Sequence, residues 1–295
     1  MFKPVTHHTK LMNEIDKILA SVEEIPPMPA ATLKLMNLTD SETSSAGDLG
    51  KVISMDQGLT AKVLRLTNSP FYGLPTKVTS VKQAVALLGF KQVRNIALST
   101  EFSKSLNKAF DGYLLGKGEL WRHAVATGAI ASGIAKKKEP RLADTVFTAG
   151  MVHNIGRTLL SGPLLASFSQ VKALVKSEDI PFNEAEKKVF GIDHGEAGAK
   201  LAQKWKFPAE LVEAIKLHHD PWKASPNARK LVSLIHIADI IVMYGGVGVG
   251  GDGLNYRLDE RTLQLLNVNE SAVDQFILDL QTGTKDIDDF VKNST

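Results

Sequence analysis

A chain of 295 residues with 43% hydrophobic and 23% charged residues has ordinary globular composition, which excludes disordered, collagen-like and membrane-embedded classes. Its 35 basic and 32 acidic residues leave a formal net charge of +3, too even a balance for the strong positive field of a dedicated nucleic-acid binder. Because cysteine is absent, disulfides, thiolate catalysis and zinc–thiolate sites are excluded, and any metal must be held by nitrogen and oxygen ligands.

The first third of the chain predicts a succession of short helices. Apolar residues recur at helical spacing over 11–22, and the segment 25–29 must then run extended because proline disfavours helix in the residue before it. Ser45 and Ser80 each stand three residues ahead of an acid or an amide, which is typical of a helix N-terminus. Between them, the turn-rich stretch 68–75 predicts a structured elbow.

Further along, the patterns predict longer helices. Glycines interrupt the helical pattern at 109–118, which divides the chain into an N-terminal helical lobe, 1–110, and a C-terminal helical lobe, 111–295. Helices are predicted in the second lobe over 119–136, 142–160, 194–205, 208–219 and 227–244. No segment alternates apolar and polar residues between turn signals as a strand would. We therefore expect an all-α, two-lobed helical bundle.

Two segments of the chain bear on export and membrane insertion. The polar N-terminus, 1–10, lacks the apolar core of a signal peptide. The most apolar window, 231–250, contains His236 and Asp239, and a mid-membrane aspartate costs about 2.5 to 3.5 kcal/mol on insertion scales. We therefore interpret this window as a buried helix and expect a cytoplasmic protein without a membrane partner.

Six of the eight histidines lie in the stretch that begins at His123 and ends at His236. Glu119 and His123 are four residues apart, so on a helix they share one face and either converge on a cation or form a salt bridge. His153 and Asn154 follow an apolar stretch, where buried polar groups must find partners, and Arg157 lies one turn beyond.

A second set of polar residues lies at helix ends and inside the most apolar helix. His194 begins one predicted helix, whereas His218 and His219 end the next, so these side chains can come close together. The apolar residues around Asp239 leave an ionised carboxylate without water unless a metal, a histidine or an arginine pairs with it. Asp239 is therefore the strongest single signal of a site.

Taken together, these residues are similar to the HD superfamily of metal-dependent phosphohydrolases, and the chain resembles its HDOD subgroup of bacterial signalling domains. The segments 25–29, 64–75 and 84–94 look like the N-terminal lobe that ordinary HD enzymes lack, and the glycine-rich loop before Leu258 also suits HDOD proteins. The resemblance spans nearly the whole chain and implies a helical signalling domain built on a phosphohydrolase scaffold.

The same resemblance implies roles for individual residues. The positions that match ligands of a first metal are His123, His153 and Asp239, and those that match ligands of a second metal are His194, His218 and His219. Glu119 precedes His123 by one turn, as an acidic ligand does in some relatives. Arg157 stands where the enzymes place a lysine that contacts phosphate.

One departure from the family pattern concerns Asn154, which stands where the enzymes have an aspartate that contacts and often bridges the metals. An amide oxygen is neutral and bridges two cations poorly, so two-metal activation of water is not expected. His123, His153 and Asp239 alone match the two-histidine, one-carboxylate sets that hold one divalent cation such as Mn, Fe, Ni or Zn. The alternative is that the same three residues form a hydrogen-bonded core cluster without metal.

These observations lead to two functional hypotheses. The first is a non-catalytic output or interaction module in bacterial signal transduction, with other signalling proteins as partners. Its candidate contact surfaces are Phe71-Tyr72 and the glycine-rich run 245–253, which we interpret as a flexible loop. The alternative is a hydrolase that acts on a nucleotide or cyclic dinucleotide, with Arg157 on the phosphate. Nucleic-acid binding would rest on the slight basicity alone and is not expected.

Overall fold

The fold is given by a computed structural model that describes residues 7–38, 45–253 and 256–295, with side chains from residue 15 onward. The first part of the chain forms α1 (His7–Glu24), α2 (Ala30–Asn37), α3 (Ala46–Ser54), α4 (Gln57–Thr67), α5 (Val81–Leu88) and α6 (Phe90–Leu106). The rest forms α7 (Glu119–Lys138), α8 (Ala143–Val152), α9 (Arg157–Glu178), α10 (Phe182–Phe190), α11 (His194–Lys204), α12 (Ala209–Leu217), α13 (Arg229–Tyr244), α14 (Glu260–Leu266), α15 (Glu270–Thr282) and α16 (Thr284–Ser294). No strand occurs in these ranges, so the all-α prediction is confirmed.

Two of the predicted helix starts are formed by the expected capping groups. Ser45 Oγ accepts from the backbone N–H of Asp48 at 3.2 Å, and the Asp48 carboxylate accepts from the Ser45 N–H at 3.1 Å, which completes a capping box at α3. Ser80 Oγ accepts from the N–H of Gln83 at 3.1 Å and begins α5. Local sequence therefore determines where these helices begin.

The single helix predicted over 142–160 is wrong, because the chain turns at 153–156 and forms α8 and α9 instead. Within the turn, the backbone N–H groups of Ile155 and Arg157 bond three residues back, at 2.9 and 3.0 Å. Gly156 lies so close to α11 that a Cβ there would be 1.8 Å from the carbonyl oxygen of His194. This long-range contact, absent from the local pattern, fixes the position of the turn.

The centre of the second lobe is formed by α7, α8 and α13. The helices α7 and α8 pack most extensively, and a Cβ on Gly150 would lie 2.5 Å from the Cα of Gly128, so glycine permits the close approach. The helix α13 is buried on all sides from Leu231 to Met243, including Asp239. None of the described helices is long and apolar enough to cross a bilayer.

Both terminal helices pack across the predicted lobe boundary. The helix α1 lies against α9, α10 and α11, and the segment after it is held by Trp205, whose Nε1 donates to the Pro26 carbonyl at 3.1 Å. At the other end, α16 lies against α4, α6 and α7. The division at residue 110 stays a prediction, and contacts from both chain ends join its two sides.

Phe71 and Tyr72 in the elbow pack against the C-terminal helix. Both side chains are half-buried, and their ring centroids lie 4.9 and 6.4 Å from that of Phe290 in α16. The C-terminal helix covers part of both rings, and their role as a contact surface for a partner stays a prediction.

Candidate functional site

The first group of site residues joins α7, the end of α8 and α13. His123 Nε2 lies 2.7 Å from Asp239 Oδ1, and His153 Nε2 lies 3.4 Å from the same oxygen. All three side chains are buried, with 1% of Asp239 exposed. The structure thus brings together the three residues that the sequence assigned to a first metal.

Hydrogen bonds involve all four ring nitrogens of His123 and His153. His153 Nδ1 donates to the Gly150 carbonyl at 2.7 Å, which leaves Nε2 as an acceptor for the Asn154 amide nitrogen at 2.7 Å. His123 faces acceptors on both sides, because its Nδ1 lies 3.0 Å from the Val247 carbonyl. The two ring nitrogens of His123 thus face the Val247 carbonyl and the Asp239 carboxylate.

The electrostatics of this group favour an ionised Asp239 carboxylate beside a neutral His153 imidazole. Burial alone raises the pKa of Asp239, but hydrogen bonds and charge from His123 and His153 outweigh it and bring that pKa well below its ordinary value. Burial lowers the pKa of His153, although Asp239 opposes this effect. A neutral His153 is the form that binds metals.

The second group is formed by His194 at the start of α11 and by His218 and His219 after α12. His194 Nε2 lies 3.0 Å from His219 Nε2. His218 Nδ1 donates to the Ile215 carbonyl at 2.8 Å, which leaves Nε2 as a lone-pair acceptor. That nitrogen is buried and has no hydrogen-bond partner. We call these three residues the trihistidine group.

A buried carboxylate orients the trihistidine group. Glu186 Oε2 accepts from His194 Nδ1 at 2.6 Å, and Glu186 Oε1 accepts from the Tyr113 hydroxyl at 2.6 Å. Burial raises the pKa of Glu186, but its bonds to His194 and Tyr113 prevail and lower it. A carboxylate on the far nitrogen of a histidine fixes the ring and its tautomer, as around many metal centres.

The surroundings of His218 and His219 favour the neutral form of both rings. Burial lowers the pKa of His218 and of His219 well below the ordinary histidine value, and the neighbouring histidines lower both further. The ring of His219 stacks on Tyr256, with 4.3 Å between the centroids. His219 also lines a cavity of about 580 Å³ that opens to the surface.

Arg157 lies between the two groups and is fully engaged by neighbouring side chains. Its Nε donates to Asn154 Oδ1 at 3.0 Å, its Nη2 lies 2.8 Å from Asp252 Oδ2, and its guanidinium stands 4.9 Å from the Tyr113 ring centroid. Only 3% of Arg157 is exposed. Burial alone lowers the pKa of Arg157, but the charges of Asp252, Tyr256, Tyr113 and Asp239 together outweigh it and raise that pKa.

The glycine-rich run 245–253, which we call the strap, closes over these side chains. The Val247 carbonyl bonds to His123, the N–H of Gly251 donates to the Tyr113 carbonyl at 2.6 Å, and Asp252 is the buried partner of Arg157. The expectation of a flexible loop is therefore corrected, because the strap packs on the site and its glycines allow that close packing.

Two other polar residues from the sequence lie outside both groups. Glu119 is exposed, and its carboxylate accepts from the backbone N–H of Gly116 at the start of α7. The ring of His236 is held structurally, since Nδ1 donates to the His218 carbonyl at 2.7 Å and Nε2 accepts from the N–H of Asp259 at 2.9 Å. Neither residue belongs to a group of potential ligands in the described ranges.

Comparison with known proteins identifies the family. The family model described as the HDOD domain matches residues 25–221, which is more than half of the chain. The chain belongs to the HDOD family. A crystallised HDOD domain protein of unknown function from Geobacter sulfurreducens superposes with a TM-score of 0.75 at 25% identity, with 98% of this chain and 99% of that chain covered.

Three further relatives of this HDOD chain vary in length. A candidate phosphohydrolase from Shewanella amazonensis has a TM-score of 0.70 at 27% identity, with coverage of 95% and 98%. A candidate signal transduction protein from Marinobacter aquaeolei shares the fold, with a TM-score of 0.77 at 23% identity, over 98% of this chain and 65% of that one. An uncharacterized protein from Treponema pallidum is 24% identical over 246 residues, so the HDOD chain covers 47% of that relative.

The donor atoms of this HDOD chain fit a divalent cation better in the trihistidine group. Bonds of about 2.0 to 2.1 Å place neighbouring ligand atoms about 3 to 3.5 Å apart, and His194 Nε2 and His219 Nε2 already lie 3.0 Å apart. The unpaired Nε2 of His218 supplies a third nitrogen. A cation would replace a direct contact in either group, His194 to His219 or His123 to Asp239. In the first group, however, each of the three ligand atoms already has a partner.

Three residues that shape the site were missed from the sequence. Tyr113, Glu186 and Asp252 are all buried and contact Arg157 or His194. Nothing local separates Glu186 from the exposed Glu184, because only the packing of α10 decides which acid faces inward. The glycines around Asp252 were the one usable signal, since glycine often marks close backbone approach.

Proposed function

We propose that this HDOD chain is a non-catalytic interaction module in bacterial signal transduction, and that its histidine cluster holds one divalent cation in the trihistidine group. A cytoplasmic location and signalling proteins as partners are part of the proposal. The observation that carries it is the position of Asn154, whose amide bonds to both Arg157 and His153.

The hydrogen bonds of Asn154 argue against a metal pair. Its amide nitrogen donates to the Nε2 lone pair of His153, which is the atom that would bind a first metal. Its oxygen is neutral and already accepts from Arg157. No anionic oxygen is therefore available at this position to bridge two cations and activate water between them.

The charge balance supports a single cation. Among the six potential ligands of the two groups, Asp239 is the only carboxylate, and the further buried acid Glu186 is bonded to His194. Asp252 lies nearby, but its charge is matched by Arg157 at 2.8 Å. Two divalent cations in a buried site would thus face too little negative charge, and uncompensated buried charge is costly.

The trihistidine group is the better position for that cation. His218 Nε2 is buried without a partner, and the pKa values of His218 and His219 are depressed by burial, so both rings are neutral. Imidazole ligands suit Zn, Ni and Fe, and Mn is a weaker candidate. Bound there, such a cation would supply Lewis acidity next to the cavity beside His219.

A second candidate function is a metal-dependent phosphohydrolase acting on a nucleotide or cyclic dinucleotide. It is favoured by the cavity of about 580 Å³ beside His219 and by the likeness to the Shewanella amazonensis candidate phosphohydrolase. In that case Arg157 would contact the phosphate. The burial of Arg157 and its bonds to Asp252 and Asn154 make this the weaker proposal.

The two functions are distinguished by metal content and turnover. Tag-free protein is purified, its bound Mn, Fe, Ni and Zn are quantified, and hydrolysis of a phosphodiester panel is measured with and without added divalent cations. We expect one equivalent of metal, lost in His218→Ala, and no turnover. Two equivalents of metal together with turnover that Asp239→Ala abolishes would overturn the proposal in favour of the hydrolase.

A further inference from the structure

A groove runs along the C-terminal half of α9 and reaches the entrance to the site. It has a volume of about 730 Å³, and its lining includes Lys172, Val175, Lys176, Asp179, Ile180 and Arg257. Pro181 and Arg257 also line the cavity beside His219, so the two depressions are continuous. We call this feature the basic groove.

The lining of the basic groove combines apolar and basic side chains. Lys172 and Lys176 are exposed, and neither forms an ion pair within the described ranges. The one acid in the lining, Asp179, is paired with Arg257 at 2.7 Å. The groove therefore presents an excess of positive charge beside aliphatic surface, and its complement is a ligand that is both acidic and apolar.

The composition of the groove also distinguishes between classes of ligand. No aromatic side chain lines it, so it offers no flat surface on which a nucleobase could stack. Its aliphatic residues instead suit the Leu, Ile or Val side chains of a peptide. Helical segments bind in such grooves through apolar residues spaced along one face, while charged residues meet the rim.

Two contacts connect the basic groove to the interior of the site. Arg257 directly follows Tyr256, whose ring stacks on His219 at 4.3 Å. On the other side, Lys172 stands 5.7 Å from the ring centroid of Phe168, and a Cβ on Gly251 in the strap would lie 2.5 Å from that ring. A ligand that displaces Asp179 from Arg257 would thus act next to the trihistidine group.

We propose that the basic groove binds an acidic, amphipathic peptide segment of a partner protein. The inference rests on the proposed interaction function and specifies the chemistry of the partner. Carboxylates of the segment replace Asp179 on Arg257 and pair with Lys172 and Lys176, while its apolar side chains cover Val175 and Ile180. Binding is therefore weakened by salt, because exposed ion pairs are screened.

The test selects peptides without assuming a partner. A displayed library of random peptides of about 14 residues, roughly four helical turns, is selected on the full chain, and the recovered peptides are synthesised. Their affinities are compared between the wild-type chain, Lys172→Glu/Lys176→Glu and a control, Lys82→Glu/Lys285→Glu. The control makes the same change in charge at exposed lysines outside the groove.

We expect recovered peptides enriched in Asp and Glu with apolar residues at helical spacing, bound at least about tenfold more weakly by the groove variant and unchanged in the control. Recovery of peptides that lack acidic residues, or of none that depend on Lys172 and Lys176, would overturn the inference. The peptide affinities of chelator-treated protein are compared with those of the metal-loaded protein. If the groove binds no such peptide, the number of metal equivalents per chain is unaffected. Failure of this inference is therefore distinguishable from failure of the proposed function.

Discussion

At the scale of single residues, Asn154 has the largest influence on what the site can do. Its two amide atoms differ in role, since the oxygen accepts from Arg157 and the nitrogen donates to His153. An aspartate could accept from Arg157 but could not donate to His153. Replacement of this one residue therefore tests both the hydrogen-bond assignment and the proposed metal stoichiometry.

We predict that Asn154→Asp strengthens metal binding and adds a second equivalent of metal. The new carboxylate lies next to His153 Nε2, frees that lone pair and supplies an anionic oxygen for a cation shared with Asp239. The affinity for Zn or Mn, measured by calorimetric titration and metal analysis, should rise at least about tenfold. Unchanged affinity and stoichiometry, equal to those of the exposed control Asn227→Asp, would contradict the proposed geometry.

We predict that Asp252→Ala destabilises the protein by about 3 to 5 kcal/mol, because the Arg157 guanidinium then remains buried without its carboxylate. Removing the charge as well, in Arg157→Met/Asp252→Ala, should recover much of this loss. Urea unfolding monitored by circular dichroism measures both. A small effect of Asp252→Ala, similar to that of the exposed Asp179→Ala, would show that the buried pair does not fix the strap.

At the scale of elements, the strap and the turn at 153–156 position the functional side chains. Both depend on glycines that approach other backbone segments closely. A Cβ on Gly248 would lie 2.4 Å from the Glu119 carbonyl oxygen, and one on Gly156 would lie 1.8 Å from that of His194. Because backbone atoms cannot move aside as a flexible side chain can, these glycines fix how closely the elements pack.

We predict that Gly156→Ala destabilises the fold by about 1 to 3 kcal/mol or more, because the added methyl group forces α9 and α11 apart. It should also weaken metal binding, since the same contact holds the turn at 153–156 against the start of α11, which carries His194. Gly162→Ala in α9 is the matched control, as its Cβ would meet no atom within 4 Å. That control should be neutral or stabilising by up to about 1 kcal/mol. Equal thermal stability of the two variants would refute the argument.

Comparison of sequence and structure shows which elements local patterns could predict. Periodicity and capping predicted α3, α5 and the buried α13, because the signals lie within a few residues of each other. The break between α8 and α9 depends on Gly156 meeting α11, a contact about forty residues away. Such packing has no local signature.

The site residues likewise divide into those with a local sequence signal and those that only long-range packing reveals. Asp239 could be found, because a carboxylate in an apolar helix demands a partner, and His123 and His153 are its neighbours in the structure. Glu186 and Asp252 could not, because their partners, His194 and Arg157, lie on other elements. The sequence therefore revealed the potential metal ligands more readily than it revealed the residues that orient those ligands.

At the scale of the whole molecule, the two chain ends join the two predicted lobes. The helix α16 places Phe290 against Phe71 and also against Phe147 of α8, with ring centroids 4.9 and 6.3 Å apart. The helix α1 lies on the opposite lobe, against α9, α10 and α11. We therefore expect the chain to unfold as one cooperative unit, so that protonation inside the site affects the stability of the entire fold.

The pH dependence of that stability follows from the depressed histidine pKa values. His218 and His219 have folded pKa values well below the ordinary value of 6.5, because desolvation disfavours the charged rings and the neighbouring histidines add to this effect. Below pH 6.5 the unfolded chain binds protons that the folded chain excludes, so the free energy of unfolding falls as the pH falls. Asp239 does not contribute here, since its lowered pKa affects stability only below its ordinary value of 3.8.

We predict that the metal-free protein loses stability between about pH 7 and pH 5, by up to about 1.4 kcal/mol per pH unit for each buried neutral histidine. Urea unfolding in the presence of a chelator measures the slope. His219→Gln keeps a polar side chain at the cavity but removes one titrating ring, so its slope should be smaller by one histidine. A free energy of unfolding that stays constant or rises as the pH falls would mean that His218 and His219 are already protonated in the folded chain, and neutral ligands for a cation would then be lacking.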